Sequence, residues 1–299
     1  MIFMVKCIVV IIVILYKIDI FRKESIMKKL MDAIFSNKKV VVITGAGVST
    51  LSGISDFRGK NGLYTKDDSV EYKLSRDYFI ENPEEFYKFY KDNMIVKDRQ
   101  PNIIHQTLAM LQEKGYIDFI ITQNIDNLHE KTGSKNILAM HGNGEKFYCT
   151  KCKSNYNLDE YLNDGYICEK CNGVIRPDVV LYNESIPVYK RRKAFEEIVS
   201  AEVVIVLGSS LVVSTVAELL DWYIMENNVN KNDNKLFIIN DQETPYDFYS
   251  SKYSCDLGEV FTNIFNYLNE FEQKNSQSFT EIQHSVDGLI LKKSRKFNL

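Results

Sequence analysis

Two cysteine pairs carry the most specific local chemistry in this 299-residue chain. Cys149 and Cys152 form one C-x-x-C, Cys168 and Cys171 a second, with fifteen residues between them. Each tight pair presents two thiolates from one turn, and four thiolates satisfy tetrahedral zinc. All four positions are then filled and none remains for a catalytic water. The spacing therefore predicts one structural zinc holding a small ribbon over about residues 145–176. Paired thiolates in a chain of this length read as metal ligands and not as a disulfide framework, and they suit a reducing, cytoplasmic compartment.

A second constellation begins at Gly45-Ala46-Gly47, directly after the apolar run Val40–Ile43. Ser49, Asp56, Phe57 and Arg58 follow at once. A strand, a glycine turn and then fixed polar groups point to a dinucleotide site. The dehydrogenase spacing G-x-G-x-x-G fails, because Thr50 stands where its third glycine belongs. Alone, G-A-G is equally an ordinary strand-to-helix turn. Further polar groups stand after other apolar runs. Gln123, Asn124 and Asp126 follow Phe119–Thr122; they suit ribose hydroxyls and a carboxamide, or an Asx-rich helix cap. His141 ends the run Ile137–Met140 and reads as a general base or as a satisfied loop histidine. Gly208-Ser209-Ser210 offers a second backbone cradle, and Asn240, Cys255 and Asp256 close the set.

The elements that must position these groups alternate strand and helix. Strands are expected at Val40–Ile43, Phe119–Thr122, Ile137–Met140, Val179–Tyr182, Val203–Leu207 and Leu236–Ile239. Helices are expected over 27–36, from Pro83 with Asn82 as N-cap, over 102–114, 188–200, to Met225, and over 257–271. The aromatic set Phe86, Tyr87, Phe89 and Tyr90 reads as core packing. Strands that are apolar throughout belong to a sheet covered on both faces. The fold class is α/β, a Rossmann-like mainly parallel sheet with helices on both faces, plus the small zinc ribbon. Ligands of such sheets lie beyond the strands' carboxyl ends, where Gly45, Gln123, His141, Gly208 and Asn240 all fall. A net charge of −3 gives no global field for nucleic acid.

These motifs resemble the sirtuins, NAD-dependent protein lysine deacylases. The resemblance rests on G-A-G-V-S-x-x-S-G-I-x-D-F-R at 45–58, T-Q-N-I-D-N-L-H at 122–129 and H-G at 141–142. The cysteine quartet, R-P-D-V-V-L-Y-N-E at 176–184, G-S-S-L at 208–211 and I-I-N at 238–240 complete it, spanning roughly residues 30–270. It implies that NAD lies over the loop of Gly45, Ala46, Gly47 and Ser49, with Asp56, Phe57 and Arg58 closing on it. Gln123, Asn124 and Ile125 would meet the nicotinamide ribose and Asp126 the carboxamide. Gly208, Ser209, Ser210, Asn240 and Asp241 would serve phosphate and adenosine, and Cys255 the adenine. His141 would be the general base, with Asn124 and Asp126 also catalytic. Val179, Val180, Leu181, Tyr182, Asn183 and Glu184 would pair with an acyl-lysine protein or peptide. The implied products are nicotinamide, O-acetyl-ADP-ribose and free lysine. An ADP-ribosyltransferase or NAD hydrolase on the same scaffold is the alternative.

Three positions depart from the family pattern. Ser55 and Ser214 stand where proline is usual, and Asn183 replaces a glycine, a change that asparagine's tolerance of left-handed geometry can absorb. The acyl-pocket region near Tyr90 and Asn93 lacks an arginine, which favours acetyl over succinyl groups. The catalytic domain is expected over residues 27–272, as a monomer. Residues 1–26 form an apolar extension too short to span a bilayer, with no membrane contact expected and Met27 an alternative start. Residues 273–299 form a polar tail.

Overall fold

The computed structural model describes residues 24–57, 59, 62–67, 69–95 and 97–270. Arg58, and the expectations for residues 1–23 and 271–299, lie outside the described residues. The strands are β1 (Val40–Thr44), β2 (Phe119–Thr122), β3 (Ile137–Ala139), β4 (Gly142–Cys149), β5 (Asn155–Asn157), β6 (Ile175–Val179), β7 (Val203–Leu207), β8 (Leu236–Ile239) and β9 (Ser251–Tyr253). The helices are α1 (24–34), α2 (Leu63–Lys66), α3 (Val70–Lys73), α4 (Arg76–Glu81), α5 (Pro83–Asn93), α6 (Ile103–Glu113), α7 (Leu128–Lys131), α8 (Leu158–Asn163), α9 (Val188–Val199), α10 (Ser214–Asn227) and α11 (257–270).

Six strands form one parallel sheet in the order β3-β2-β1-β7-β8-β9. Every residue of β1, β2, β7 and β8 is buried, as a sheet covered on both faces requires. Side chains alternate between the faces. Val40 and Val42 pack with Leu30, Leu108 and Ile264 of α1, α6 and α11; Val41 and Ile43 pack with Ala194, Ile198 and Leu219 of α9 and α10. Thr44 pairs with both Thr122 and Leu207, so three strands end level and release their loops at one height. The chain runs outward in opposite directions from β1 and β7, and their shared edge is the switch point where such folds bind ligands.

A second sheet, β5-β4-β6, is antiparallel and carries the cysteines. It is more than the expected ribbon, because α8 lies between the cysteine pairs. Its core is shared: Phe147, Tyr161 and Ile175 pack with Phe79, Phe86 and Tyr90 of α4 and α5. Three local expectations change. The first helix is already running at residue 24, ahead of Met27. Asn82 makes no side-chain cap, although Pro83 does open α5. The strand expected over 179–182 is displaced: β6 ends at Val179, and only Tyr182 forms a single bridge, with Ser75.

Candidate active site

A cleft of about 680 Å³ opens over the level strand ends, between the large sheet and the smaller module. Its floor is built by the loops after β1, β2 and β7. Gly45 N–H donates to Leu207 O and Gly47 N–H to Gly208 O, both at 2.9 Å, which locks the β1 and β7 loops together. Gln123 Nε2 donates to Ser209 Oγ at 2.7 Å. Asn124 Nδ2 donates to Gly45 O at 3.1 Å and to Ser49 Oγ at 3.2 Å. Ser49 Oγ in turn donates to Asp126 Oδ2 at 2.6 Å, and Asp126 Oδ1 accepts the Leu128 N–H at 3.0 Å. The floor is thus a fixed polar surface, and its groups need little reorganisation when a ligand binds.

His141 closes the cleft between this floor and β4. Its Nδ1 lies 2.8 Å from the carbonyl oxygen of Gln123. A carbonyl only accepts, so Nδ1 carries the proton and Nε2 keeps its lone pair. Burial pushes the imidazole pKa below its ordinary value; the Gln123 carbonyl opposes this, and nearby Lys190 adds to it. His141 is therefore neutral at neutral pH, the form a general base requires.

The segment after β6 forms the opposite wall. Val180 N–H donates to His141 O at 2.8 Å, and Tyr182 bonds Leu74 O and the Arg76 N–H through its own backbone. Arg176 braces it from behind: its guanidinium grips Glu184 at 2.6 and 2.9 Å and donates to Val179 O at 2.8 Å. Asn183 adopts φ +64°, so it takes the left-handed turn, and its Nδ2 donates to Asp77 Oδ2 at 2.9 Å. The left-handed geometry expected of asparagine at this position is present. The Tyr64 and Tyr182 hydroxyls are hydrogen-bonded at the cleft wall.

The four cysteine sulfurs lie within 4.8 Å of one another. Cys149 and Cys171 Sγ are 3.5 Å apart, and Cys168 Sγ is 3.6 Å from both Cys152 and Cys171. Tetrahedral zinc with Zn–S near 2.3 Å sets its sulfurs about 3.8 Å apart, whereas a disulfide needs about 2.05 Å. The Lys151 and Cys152 N–H groups also point at Cys149 Sγ, at 3.4 and 3.5 Å, as donors to a thiolate. The quartet fits a structural zinc ion.

The cleft gathers most of the expected residues. Gly45, Ala46, Gly47, Asp56 and Phe57 line it from the β1 loop, and Gln123, Asn124 and Ile125 from the β2 loop. Gly208, Ser209, Ser210, Asn240 and Asp241 line the β7–β8 side, with Val179 to Glu184 and His141 opposite. Ser49 and Asp126 do not line it; they stand directly behind Asn124. Cys255 packs instead against the apolar cluster beneath the sheet. Tyr64, Leu74, Met94, Val213 and Gln242 also line the cleft, and no motif marked them. Tyr90, assigned to the core by its helical spacing, is buried and lines the cleft as well. His129, which ends the quoted 122–129 motif, and His105, which no motif marked, form a buried pair with ring centroids 4.8 Å apart.

A doubly wound parallel sheet, a ligand cleft at its switch point and a neutral histidine facing a peptide-like wall define a dinucleotide-using α/β enzyme. The chain belongs to the Sir2 family, whose profile matches residues 45–215. The NAD-dependent protein deacetylase of Thermotoga maritima is 40% identical over 245 residues, covering 80% of this chain and 96% of that protein. The Staphylococcus epidermidis protein of the same name is 42% identical over 250 residues, covering 82% and 98%. Among solved structures, Sir2 with a p53 peptide and NAD+ superposes with TM-score 0.72 at 36% identity, covering 81% of this chain and 98% of that one. Sir2 with a deacetylated p53 peptide and 3'-O-acetyl ADP ribose gives 0.74 at 38% identity over the same shares.

Proposed function

We infer that this protein is an NAD-dependent protein lysine deacetylase, releasing nicotinamide, O-acetyl-ADP-ribose and deacetylated lysine. The observation that carries the reading is His141. It is a neutral imidazole held as the Nδ1–H tautomer, between a polar floor and a wall that offers backbone to a peptide. NAD supplies an electrophilic ribose carbon once nicotinamide leaves. His141 Nε2 accepts a proton from the sugar hydroxyls. Asn124, Gln123 and Ile125 hold the nicotinamide ribose in place. Asp126 acts on the carboxamide end from behind Asn124, through the Ser49 hydroxyl that bonds both residues. Gly45, Ala46, Gly47, Asp56 and Phe57 enclose the phosphate end, and the motif assigns Arg58 to the same role. Ser209, Ser210, Asn240 and Asp241 take the adenosine side. Val179 to Glu184 pair with the acyl-lysine peptide.

The catalytic domain is residues 27–272, a monomer in the reducing cytoplasm that its thiolates require. No described helix is long and apolar enough to cross a membrane. The test is turnover of an acetyl-lysine peptide with NAD, with product masses recorded. Equimolar nicotinamide, deacetylated peptide and O-acetyl-ADP-ribose are expected. Nicotinamide release at the same rate without peptide would replace this reading with an NAD hydrolase or ADP-ribosyltransferase.

A further inference from the structure

One cation ties a helix outside the cleft to the turn that carries His141. Lys190 is the third residue of α9, and its Nζ donates to Ala139 O at 2.7 Å. Ala139 is the last residue of β3, the edge strand of the large sheet. Its carbonyl is thus met by a side chain from α9. Two residues further on stands His141. Three bonds hold the turn between them. Met140 N–H donates to Thr122 O at 2.9 Å, and Val180 N–H donates to His141 O at 2.8 Å. Lys190 supplies the third, and of these three it alone comes from a side chain.

A lysine is disfavoured at this place on two counts. It lies in the first turn of a twelve-residue helix, where the helix dipole opposes a cation, and no acidic residue shares that turn. It is also half-buried, and burial lowers its pKa, with Asp178 opposing the shift. A neutral residue would avoid both costs. A second cavity, of about 430 Å³, lies on this side of the wall; Lys190, Gly142, Asp178 and Val180 line it. The other charges about His141 are mostly acidic. Asp126 stands behind the floor, Asp178 on β6, and Asp56 and Asp241 along the cleft. Glu184 in the wall is gripped by Arg176. The carboxylates favour a protonated imidazole, whereas burial and Lys190 act against it.

We propose that Lys190 is a positioning residue for His141: its ammonium clamps the Ala139 carbonyl, fixes the turn that carries the imidazole and keeps a positive charge beside it. The proposal rests on the reading of His141 as the base of a deacylase. It goes beyond that reading by naming what holds the base.

The test uses the full chain and reads His141 in two ways. The first is the titration midpoint of its imidazole by NMR, with the resonance assigned by its loss in His141→Ala. The second is kcat/KM for an acetyl-lysine peptide with NAD, from about pH 5.5 to about pH 8.5, a range that spans imidazole titration. Lys190→Met keeps most of the side-chain volume and removes both charge and donor. Its His141 midpoint should rise, because loss of a nearby cation makes imidazolium easier to form. Near the alkaline end kcat/KM should fall about fivefold, the value of one hydrogen bond. Near the acid end the loss should be about threefold greater still. KM for NAD should stay within about twofold of wild type, because Lys190 does not line the cleft. Lys190→Gln, neutral and polar, repeats the charge test should methionine disturb the turn. Lys190→Arg keeps charge and donor and should restore both readouts. Arg192→Gln removes a charge from the exposed side of the same helix, where Arg192 pairs with Glu196, and should change neither readout. An unshifted midpoint in either neutral variant, or a KM for NAD raised as much as kcat/KM falls, would overturn the proposal and leave Lys190 as a cover for the sheet edge. A shifted midpoint in a protein that does not turn over the acetyl peptide would instead remove the deacylase reading and keep the clamp.

Discussion

Gly47 and Gly208 lie so close that a methyl carbon added to either would stand 2.7 Å from the other's α-carbon. The contact is backbone to backbone, so no side chain can yield. The glycines of the β1 loop are therefore required first by loop-to-loop packing, and only through it by a ligand. Gly47→Ala should destabilise the fold by about 1–3 kcal/mol and spread the two loops. Urea unfolding and NAD titration by calorimetry would measure both effects. A variant with native stability and native NAD affinity would show that the two loops can separate freely.

His141→Ala should keep the fold, the metal and most NAD affinity, while deacetylation falls by about 10²–10⁴. Burial depresses the His141 pKa, so the neutral base persists to lower pH than a free imidazole. The acid limb of kcat/KM should have its midpoint below pH 6.5, the ordinary imidazole value, with activity flat above it. A midpoint above that value would remove His141 from the role of base.

Metal analysis of the reduced protein should find one zinc per chain. Cys152→Ser, at the exposed corner of the quartet, should lower metal content and Tm together. X-ray absorption should give four sulfurs at about 2.3 Å. Metal-free protein with an unchanged Tm would leave the quartet without a structural task.

Glu184→Gln should act on peptide binding more than on NAD. It leaves the Arg176 guanidinium, buried against Tyr148 and Phe79, without its counter-charge. A stability loss of about 3 kcal/mol and a peptide KM raised about tenfold are expected, with NAD affinity within about twofold of wild type. Equal loss of NAD and peptide affinity would mean that the pair supports the whole cleft and not its peptide wall.

Acid should destabilise the protein through His105 and His129. Burial lowers their pKa values, to about 4 for His105 and about 3 for His129, where neighbouring His105 adds to the shift. The unfolded imidazoles titrate near 6.5. Below that pH the unfolded state binds protons that the folded state refuses, so stability is full above about pH 6.5 and falls as pH drops toward 4. Each imidazole steepens the fall by about 1.4 kcal/mol per pH unit. Urea unfolding at a series of pH values should show a shallower slope in His129→Gln. An equal slope would mean that the pair titrates alike in both states.

What sequence alone revealed follows physical lines. Strands β1, β2, β7 and β8 were readable because both of their faces are buried, which makes each a short, continuous apolar run. β9 is three mixed residues at the sheet edge, Ser251–Tyr253, and has no such pattern. β4 and β6 carry Asn143, Glu145, Lys146, Arg176 and Asp178, and only sheet pairing, of β4 with both β5 and β6, makes them strands. The cysteine spacing was sufficient because each ligand pair is local. Ser49 and Asp126 were both candidates, but their bond crosses 77 positions and follows from the level ends of β1 and β2. Helical spacing assigned Tyr90 to the core and the family resemblance put it near the acyl pocket; it serves both, on a helix buried on two sides.

β4 begins at Gly142, one residue after His141, and β6 ends at Val179, where the peptide wall begins; Gly142 and Val179 are cross-strand neighbours. At their other ends the same two strands enter the cysteine module, with Cys149 opposite Ile175. The proposed base and the proposed peptide wall are thus the paired tips of one clasp whose spring is the thiolate cluster. Loss of metal or oxidation of a thiolate would be felt as misalignment at those tips, without any change to the floor proposed to hold the dinucleotide. Such damage should present as a protein that still captures NAD but has lost its grip on the peptide.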